Sequence, residues 1–351
     1  MVPDVAPTSA PAYSRSVPVA QLAGLVREFA VVRPGPGLRQ VMFRAVVLAG
    51  GIALVVMGAV RREPWLFGVS VVGLALWVAS AMILTHDAIH RTLTGLKWVD
   101  DFLPPLLSWP LLWPHYTYGR LHLLHHKWNS SDSRDPERIE PLPEEWDAAG
   151  TFGRWRLRHR LPIRILVEGG VGLIVEMIAH GWRLRRDDPK LLGAMLRDVV
   201  GVVLTQIFFY GTAWWVGEHV LGGRGLELVG MWALTWLVLE RVVGAIMQFR
   251  GHVEHDGLWG AGETFFDTQW ASCRNVRTHR LVEWYFNYLN YHSVHHAFAF
   301  VPWYALPQAH ERLAARLADA GFEDFRADGY LGAAREVLGV STRLRDTGRK
   351  T

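Results

Sequence analysis

The sequence predicts an all-α integral membrane protein with four transmembrane helices, additional interfacial helices, and a His-rich di-metal site on the cytoplasmic side. Three observations lead there. Four apolar stretches are each about 20 residues long, enough to cross a hydrocarbon core. Half of the 351 residues are hydrophobic and 17 are Trp, more than a water-soluble protein of this size needs. His recurs in clusters spaced i, i+3, i+4 beside the ends of the apolar stretches. The single Cys excludes a disulfide framework, a CxxC zinc site and a Cys-ligated iron–sulfur cluster within the chain. The net charge of +4 is modest and the Arg clusters sit beside apolar runs, which suits a membrane surface and not nucleic acid.

Residues 1–40 form an N-terminal tail rich in Pro, Ala and Ser, without the apolar core of a secretory signal. Within it Leu22, Leu25, Val26 and Phe29 recur at helical spacing, which fits a short interfacial helix or equally a disordered tail. Residues 41–60 are the first span. Arg61, Arg62, Glu63 and Pro64 break it, and residues 65–85 return as the second span, ending at the i, i+4 pair His86 and His90. Residues 102–114 are apolar, but Pro104, Pro105, Pro110 and Pro114 leave only a re-entrant or interfacial segment. It leads into His122, His125 and His126 and then a polar, turn-forming stretch through Asp135.

Segments 154–164 and 183–190 are basic, and the apolar 165–180 between them carries Glu168 and Glu176, as expected of a helix lying along the membrane surface, with a buried span as the alternative. Residues 195–216 and 226–247 are spans three and four. Glu240 and Arg241 fall inside the last span, where an ionisable pair is a functional candidate or a self-neutralising one. Directly after it come His252, Glu254 and His255, and some forty residues later His292, His295 and His296. The amphipathic stretch 307–317 and a polar C-terminal segment follow, so that 41–310 reads as the membrane domain and 311–351 as a cytoplasmic tail.

Topology gathers these groups. If the Arg-rich segments are cytoplasmic, span three leaves that side and span four returns, and all the His clusters lie at one depth. On a helix an i, i+3, i+4 triplet falls within an arc of roughly 100°. His86, His90, His122, His125, His126, His255, His292, His295 and His296 make nine imidazoles. One ion cannot use nine, and a structural zinc needs four. Imidazole suits iron, copper and zinc, and so many neutral ligands with few carboxylates argue for two irons. Asp87, Asp135 and Glu254 are candidates to orient the rings from behind, or are solvated carboxylates. His252 is an extra imidazole, a tenth ligand or, as favoured here, a group that sits behind the ligands. His115, His159, His180, His219, His279 and His310 lack a partner spacing and are expected to be structural or exposed.

The set His86-x3-His90, His122-x2-His125-His126 and His292-x2-His295-His296, in this order beside four spans, resembles the membrane fatty acid desaturase superfamily, which includes hydroxylases and carotenoid ketolases. Asn290 to His296, then Val301-Pro-Trp-Tyr-Ala-Leu-Pro307 and His310, look like the bacterial acyl-lipid branch, as do Glu254-His255 and Val276-Arg277-Thr278. The resemblance covers about residues 65–310. It implies a cytoplasmic non-haem di-iron site held by the nine His, with oxygen and two electrons as co-reactants. It also implies a lipid or fatty acyl substrate and an integral, multi-pass location in a bacterial inner membrane. Ser293 and Val294 depart from the branch, which often has an acidic residue before the last His pair. No cytochrome b5 or ferredoxin module is visible, so electrons are expected from a separate ferredoxin, or cytochrome b5 with its reductase. The competing expectations are a lipid or carotenoid hydroxylase or ketolase and, from another class, a His-ligated membrane cytochrome or metal carrier.

Overall fold

A computed structural model of the chain describes residues 19–260, 264–319 and 326–347; the remaining parts of the two terminal segments lie outside the described residues. The helices are α1 (Val19–Val26), α2 (Pro34–Arg61), α3 (Pro64–Ile89), α4 (Lys97–Ser108), α5 (His115–Trp128), α6 (Pro143–Ala148), α7 (Thr151–Arg158), α8 (Arg160–Ile163), α9 (Gly169–Leu184), α10 (Lys190–Trp215), α11 (Gly225–His255), α12 (Phe265–Ala271), α13 (Arg280–Tyr285), α14 (His292–Ala297), α15 (Leu306–Asp319) and α16 (Gly329–Thr347). The only strands among the described residues are β1 (Asn275–Arg277) and β2 (Arg326–Asp328), a short parallel pair with Val276 opposite Ala327.

Among the described residues four helices are long and apolar enough to cross a membrane: α2, α3, α10 with its continuation to Val220, and α11. They match the four predicted spans, each with longer ends. Both α2 and α3 start on a Pro in the first turn, where a missing N–H costs nothing. Left-handed Arg62 closes α2, so the hairpin turns within a few residues. At this turn Arg62 pairs with Glu227 at 2.6 Å, while Arg224 donates to the carbonyls of Ala59 (2.9 Å) and Val60 (2.8 Å). The two hairpin tips therefore meet, and α3 and α11 run from them to His86 and His255 at the other end. Their packed faces, including Val71, Leu74, Ala75, Leu239 and Val243, are buried. Outward, α2 exposes Val46, Ile52 and Val56, and α10 exposes Leu196, Val200, Val203 and Ile207, a surface suited to hydrocarbon.

The proline-rich segment forms α4, which contains Pro104 and Pro105 and stops in a 3₁₀ turn at Trp109–Leu111, so it does not span. A π-turn at Arg164–Glu168 precedes α9. There α9 approaches α11 so closely that a Cβ on Gly244 would lie 1.8 Å from the Gly170 nitrogen. The ionisable pair of span four holds this crossing. Arg241 pairs with Glu240 and donates to the carbonyls of Val167 (2.7 Å) and Glu168 (2.8 Å), and Glu240 accepts from the Val171 N–H (2.6 Å). These are backbone groups that the break at Gly169 leaves unpaired, so the pair serves architecture. At the N-terminus α1 forms at the predicted spacing, and Leu22 and Val26 are fully buried in one cluster with Leu313 and Leu317 of α15.

Candidate metal centre

Four elements deliver the nine predicted imidazoles. His86 lies on the last turn of α3 and His90 just beyond it; α5 carries His122, His125 and His126; α11 ends on His255; α14 carries His292, His295 and His296. The start of α5 is fixed by buried Asp198 of α10, which accepts from the N–H groups of Tyr116 (3.1 Å) and Thr117 (2.7 Å), the Thr117 hydroxyl (2.8 Å) and the Trp109 indole (3.0 Å).

The rings form two adjacent groups. His86, His90, His122, His126 and His295 offer nitrogens that all lie within 4.8 Å of one another. His255, His292 and His296, together with Cys273, form the second group. His125 joins it, with its ring 4.9 Å from those of both His255 and His296. The border is the stacked pair His126 and His296, 4.3 Å apart. The sorting follows a rule. Each i, i+4 pair stays in one group, whereas the i+3 ring of α5 (His125) and of α14 (His295) crosses to the other. Neighbouring residues on a helix diverge by about 100°, so His125 and His126 cannot share a target.

The ring atoms show what such groups need. His122 donates from Nδ1 to Glu137 (2.8 Å), His125 from Nδ1 to Asp135 (2.9 Å) and His86 from Nδ1 to Asp87 (3.2 Å). Each Nε2 is then a bare lone pair. His122 Nε2 faces the Nε2 of His90 at 3.0 Å and of His126 at 3.2 Å, His126 faces His295 at 3.1 Å, and His255 faces His292 at 2.8 Å. The buried Nε2 atoms of His86, His125 and His296 have no partner among the described residues. Buried nitrogens left unpaired, or aimed at one another, are costly unless a cation stands between them. The residues therefore fit two metal ions. Burial, reinforced by the neighbouring rings, pushes the pKa of His90, His126, His292, His295 and His296 well below the usual imidazole value, which keeps them in the neutral form that binds metal. His125 is the exception: burial lowers its pKa, but Asp135 and Glu137 outweigh this and raise it to about 9 in the metal-free protein.

Of the proposed supporting groups, Asp87 and Asp135 contact rings directly. Glu254 lies 3.7 Å from His292 Nδ1 and accepts from Arg250 at 2.6 Å. His252 is fully buried but turns back along α11, with Nδ1 on the Gln248 carbonyl at 2.8 Å. The sequence did not single out Glu137, although it directly follows the Asp135-Pro136 turn. It also missed Gln269 and Asn129, which lie 3.1 and 3.4 Å from His296 Nδ1. Buried Cys273 belongs to the same group, 3.8 Å from His255 Nδ1, and burial pushes its thiol far above the usual range in the metal-free protein. The remaining His have other tasks: His279 caps α13, accepting from the Leu281 N–H (3.2 Å), and His310 stacks on Trp270. A cavity reaches the rings of His86, His122, His125, His255 and His292; Trp113, Leu121, Leu173, Met177, Met247 and Leu289 give it apolar walls, and Arg164, Glu176, His180 and Gln248 add polar groups.

Residues 63–326 match the fatty acid desaturase family model. The chain is similar to an sn-1 oleoyl-lipid 12-desaturase of Arthrospira platensis, 24% identical over 239 residues that cover 66% of this chain and 65% of that protein. It is 23% identical over 258 residues to an sn-1 acyl-lipid omega-3 desaturase (ferredoxin) of Nostoc sp. (strain 36), covering 69% and 65%. A shorter match, 25% over 91 residues, covers 26% of this chain and 21% of the omega-3 fatty acid desaturase fat-1 of Caenorhabditis elegans. The chain thus spans just under two thirds of the length of the first two relatives.

Proposed function

The chain belongs to the fatty acid desaturase family, and from that premise we propose that it introduces a double bond into the acyl chain of a membrane lipid, using oxygen and two external electrons at two irons. The observation that carries this is the convergence of nine imidazoles into two adjacent groups with bare nitrogens directed inward. Two C–H bonds break and a C=C bond forms; oxygen takes up the two hydrogens with two further electrons and two protons, giving two waters. Iron bound by the nine His supplies the activation of oxygen. The protein supplies the rest. Asp87, Glu137 and Asp135 hold ring protons on Nδ1 and so keep Nε2 free. The apolar cavity walls place a methylene beside the rings and keep water away. Arg164 and Gln248 in the same cavity suit an ester or headgroup.

The substrate class follows the acyl-lipid names of the Arthrospira and Nostoc relatives, and the latter's printed ferredoxin supports a separate electron donor of that kind, with cytochrome b5 and its reductase as the other candidate. The basic segments favour a cytoplasmic His end in a bacterial inner membrane. They sit beside that end: Arg160 pairs with Asp256 at 2.5 Å and Arg134 with Asp187 at 2.6 Å. The test is lipid and pigment profiling of cells with and without the gene, with oxygen and ferredoxin supplied. A new acyl double bond is expected. Hydroxylated lipid or altered carotenoid instead would move the chain to the hydroxylase or ketolase reading, and a Soret band in the purified protein would make it a cytochrome.

A further inference from the structure

One buried charge lies outside this account. Arg44 sits in the first span helix α2, in the part of the chain before the family match, and is only 1% exposed. A guanidinium at that depth is costly unless its donors and charge are answered by the protein. Its Nη1 donates to Gln40 on its own helix, Nε to the Ser80 hydroxyl of α3 (3.1 Å), and Nη2 to the Tyr285 carbonyl (3.2 Å) and Asn287 Oδ1 (2.9 Å). Asn287 then donates to Asp87 Oδ2 at 2.7 Å, and Asp87 Oδ1 lies 3.2 Å from His86 Nδ1. Arg44, Asn287, Asp87 and His86 are all buried, so no solvent interrupts the chain of contacts. Asn287 and Tyr288 are also held left-handed, at φ 49° and 55°, immediately before the box of α14. Two such residues in succession persist only where the surroundings fix them, and Arg44 grips the side chain of the first.

We propose that Arg44 is a positioning residue for the five-ring group. Acting through Asn287 and Asp87, it fixes the orientation of His86 and the loop that feeds His295, and so sets how firmly that group holds its metal. The inference rests on reading the two groups as metal sites, but not on iron or on an acyl substrate.

The experiment is chelator-driven metal release from purified full-length protein loaded with cobalt(II), which does not depend on turnover. Wild type is expected to hold about two slowly released ions, one per imidazole group. In Arg44→Gln one ion should leave roughly 10–100-fold faster, the usual scale for losing a contact behind a ligand, while the other keeps its rate. Arg44→Lys should fall between, because an ammonium keeps the charge but cannot reach all the acceptors. Asn287→Gly isolates the claim. Glycine accepts the positive φ and leaves Arg44 bound to Gln40 and Ser80, yet cuts the link to Asp87, so the same selective fast phase should appear, matching that of Asp87→Asn. The proposal is overturned if Asn287→Gly behaves as wild type, or if every variant speeds both ions equally, which is what mere loosening of the first hairpin would give. Wild-type protein that fails to hold two ions overturns the metal reading itself, a result distinct from either.

Discussion

The two imidazole groups are built differently although the same boxes supply them. The five-ring group takes four of its rings from α3, its C-terminal end and α5, and only His295 from α14. It is braced by Asp87 and Arg44 of the first two span helices, joined through Asn287 of the loop before α14, with Glu137 behind His122. The four-ring group joins single rings of α5 and α11 to a pair on α14. Loop and α12 residues brace it: Asp135 behind His125, and Gln269 and Asn129 beside His296. One group thus draws two of its braces, Asp87 and Arg44, from span helices, whereas the other draws none from a span. The crossing of His125 and His295 ties them together, so neither box completes a site alone. The three-His boxes of α5 and α14 are each better understood as contributing to two sites than as one site.

The largest effects should come from breaking the crossing. His125→Gln and His126→Gln are both expected to abolish lipid oxidation while the protein still reaches the membrane, because the spans are untouched. Each should keep about one tightly held metal, and a different one, with the double variant keeping none. Loss of the same ion from both variants would break the rule, and metal content with release rates in the membrane-extracted protein decides it.

Removing the braces should cost less. Glu137→Gln should weaken the five-ring group and Asp135→Asn the four-ring group, each by roughly 10–100-fold in metal affinity or turnover. Titrating metal into the two metal-free variants distinguishes them; identical weakening of both sites would mean that the carboxylates act only through the general field. Smaller still is the expected effect of His252→Gln, whose ring rests on the Gln248 carbonyl. It should keep both metals and at least partial activity, whereas His255→Gln should lose activity and one metal. An iron-poor, inactive His252→Gln beside a near-normal His255→Gln would invert the two roles. The smallest belongs to the far end of the spans, where Arg62→Ala breaks an exposed pair with Glu227 and should leave metal content and turnover unchanged.

The elements that follow a period were legible in the sequence. Four apolar runs gave four helices of the expected order, and Pro104 and Pro105 announced that α4 would not span. The His spacing marked the rings of the three boxes, whereas His255 was distinguished from His252 by the Glu254-His255 pattern of the resembled family. What the spacing could not reveal is the assignment of rings to groups, because one arc of about 100° is compatible with one target or two until the partner helices are in place. The braces were partly hidden for the same reason. Asp87 and Asp135 lie within or just after a box, whereas Asn287 reaches Asp87 from 200 residues away. Arg44 left a signal that the apolar run around it obscured: an Arg within a span calls for a partner. Glu240 and Arg241 gave the same signal, and the fold answers it with backbone groups at the break before α9.

The central claim is that two metals sit in two interleaved groups with the i+3 rings exchanged. It is tested most directly by locating the metals in a density map of the metal-loaded protein at a resolution that separates neighbouring imidazoles. Two peaks are expected, one bound by His86, His90, His122, His126 and His295, the other by His125, His255, His292 and His296. A single peak, or His125 and His126 on the same ion, would contradict it.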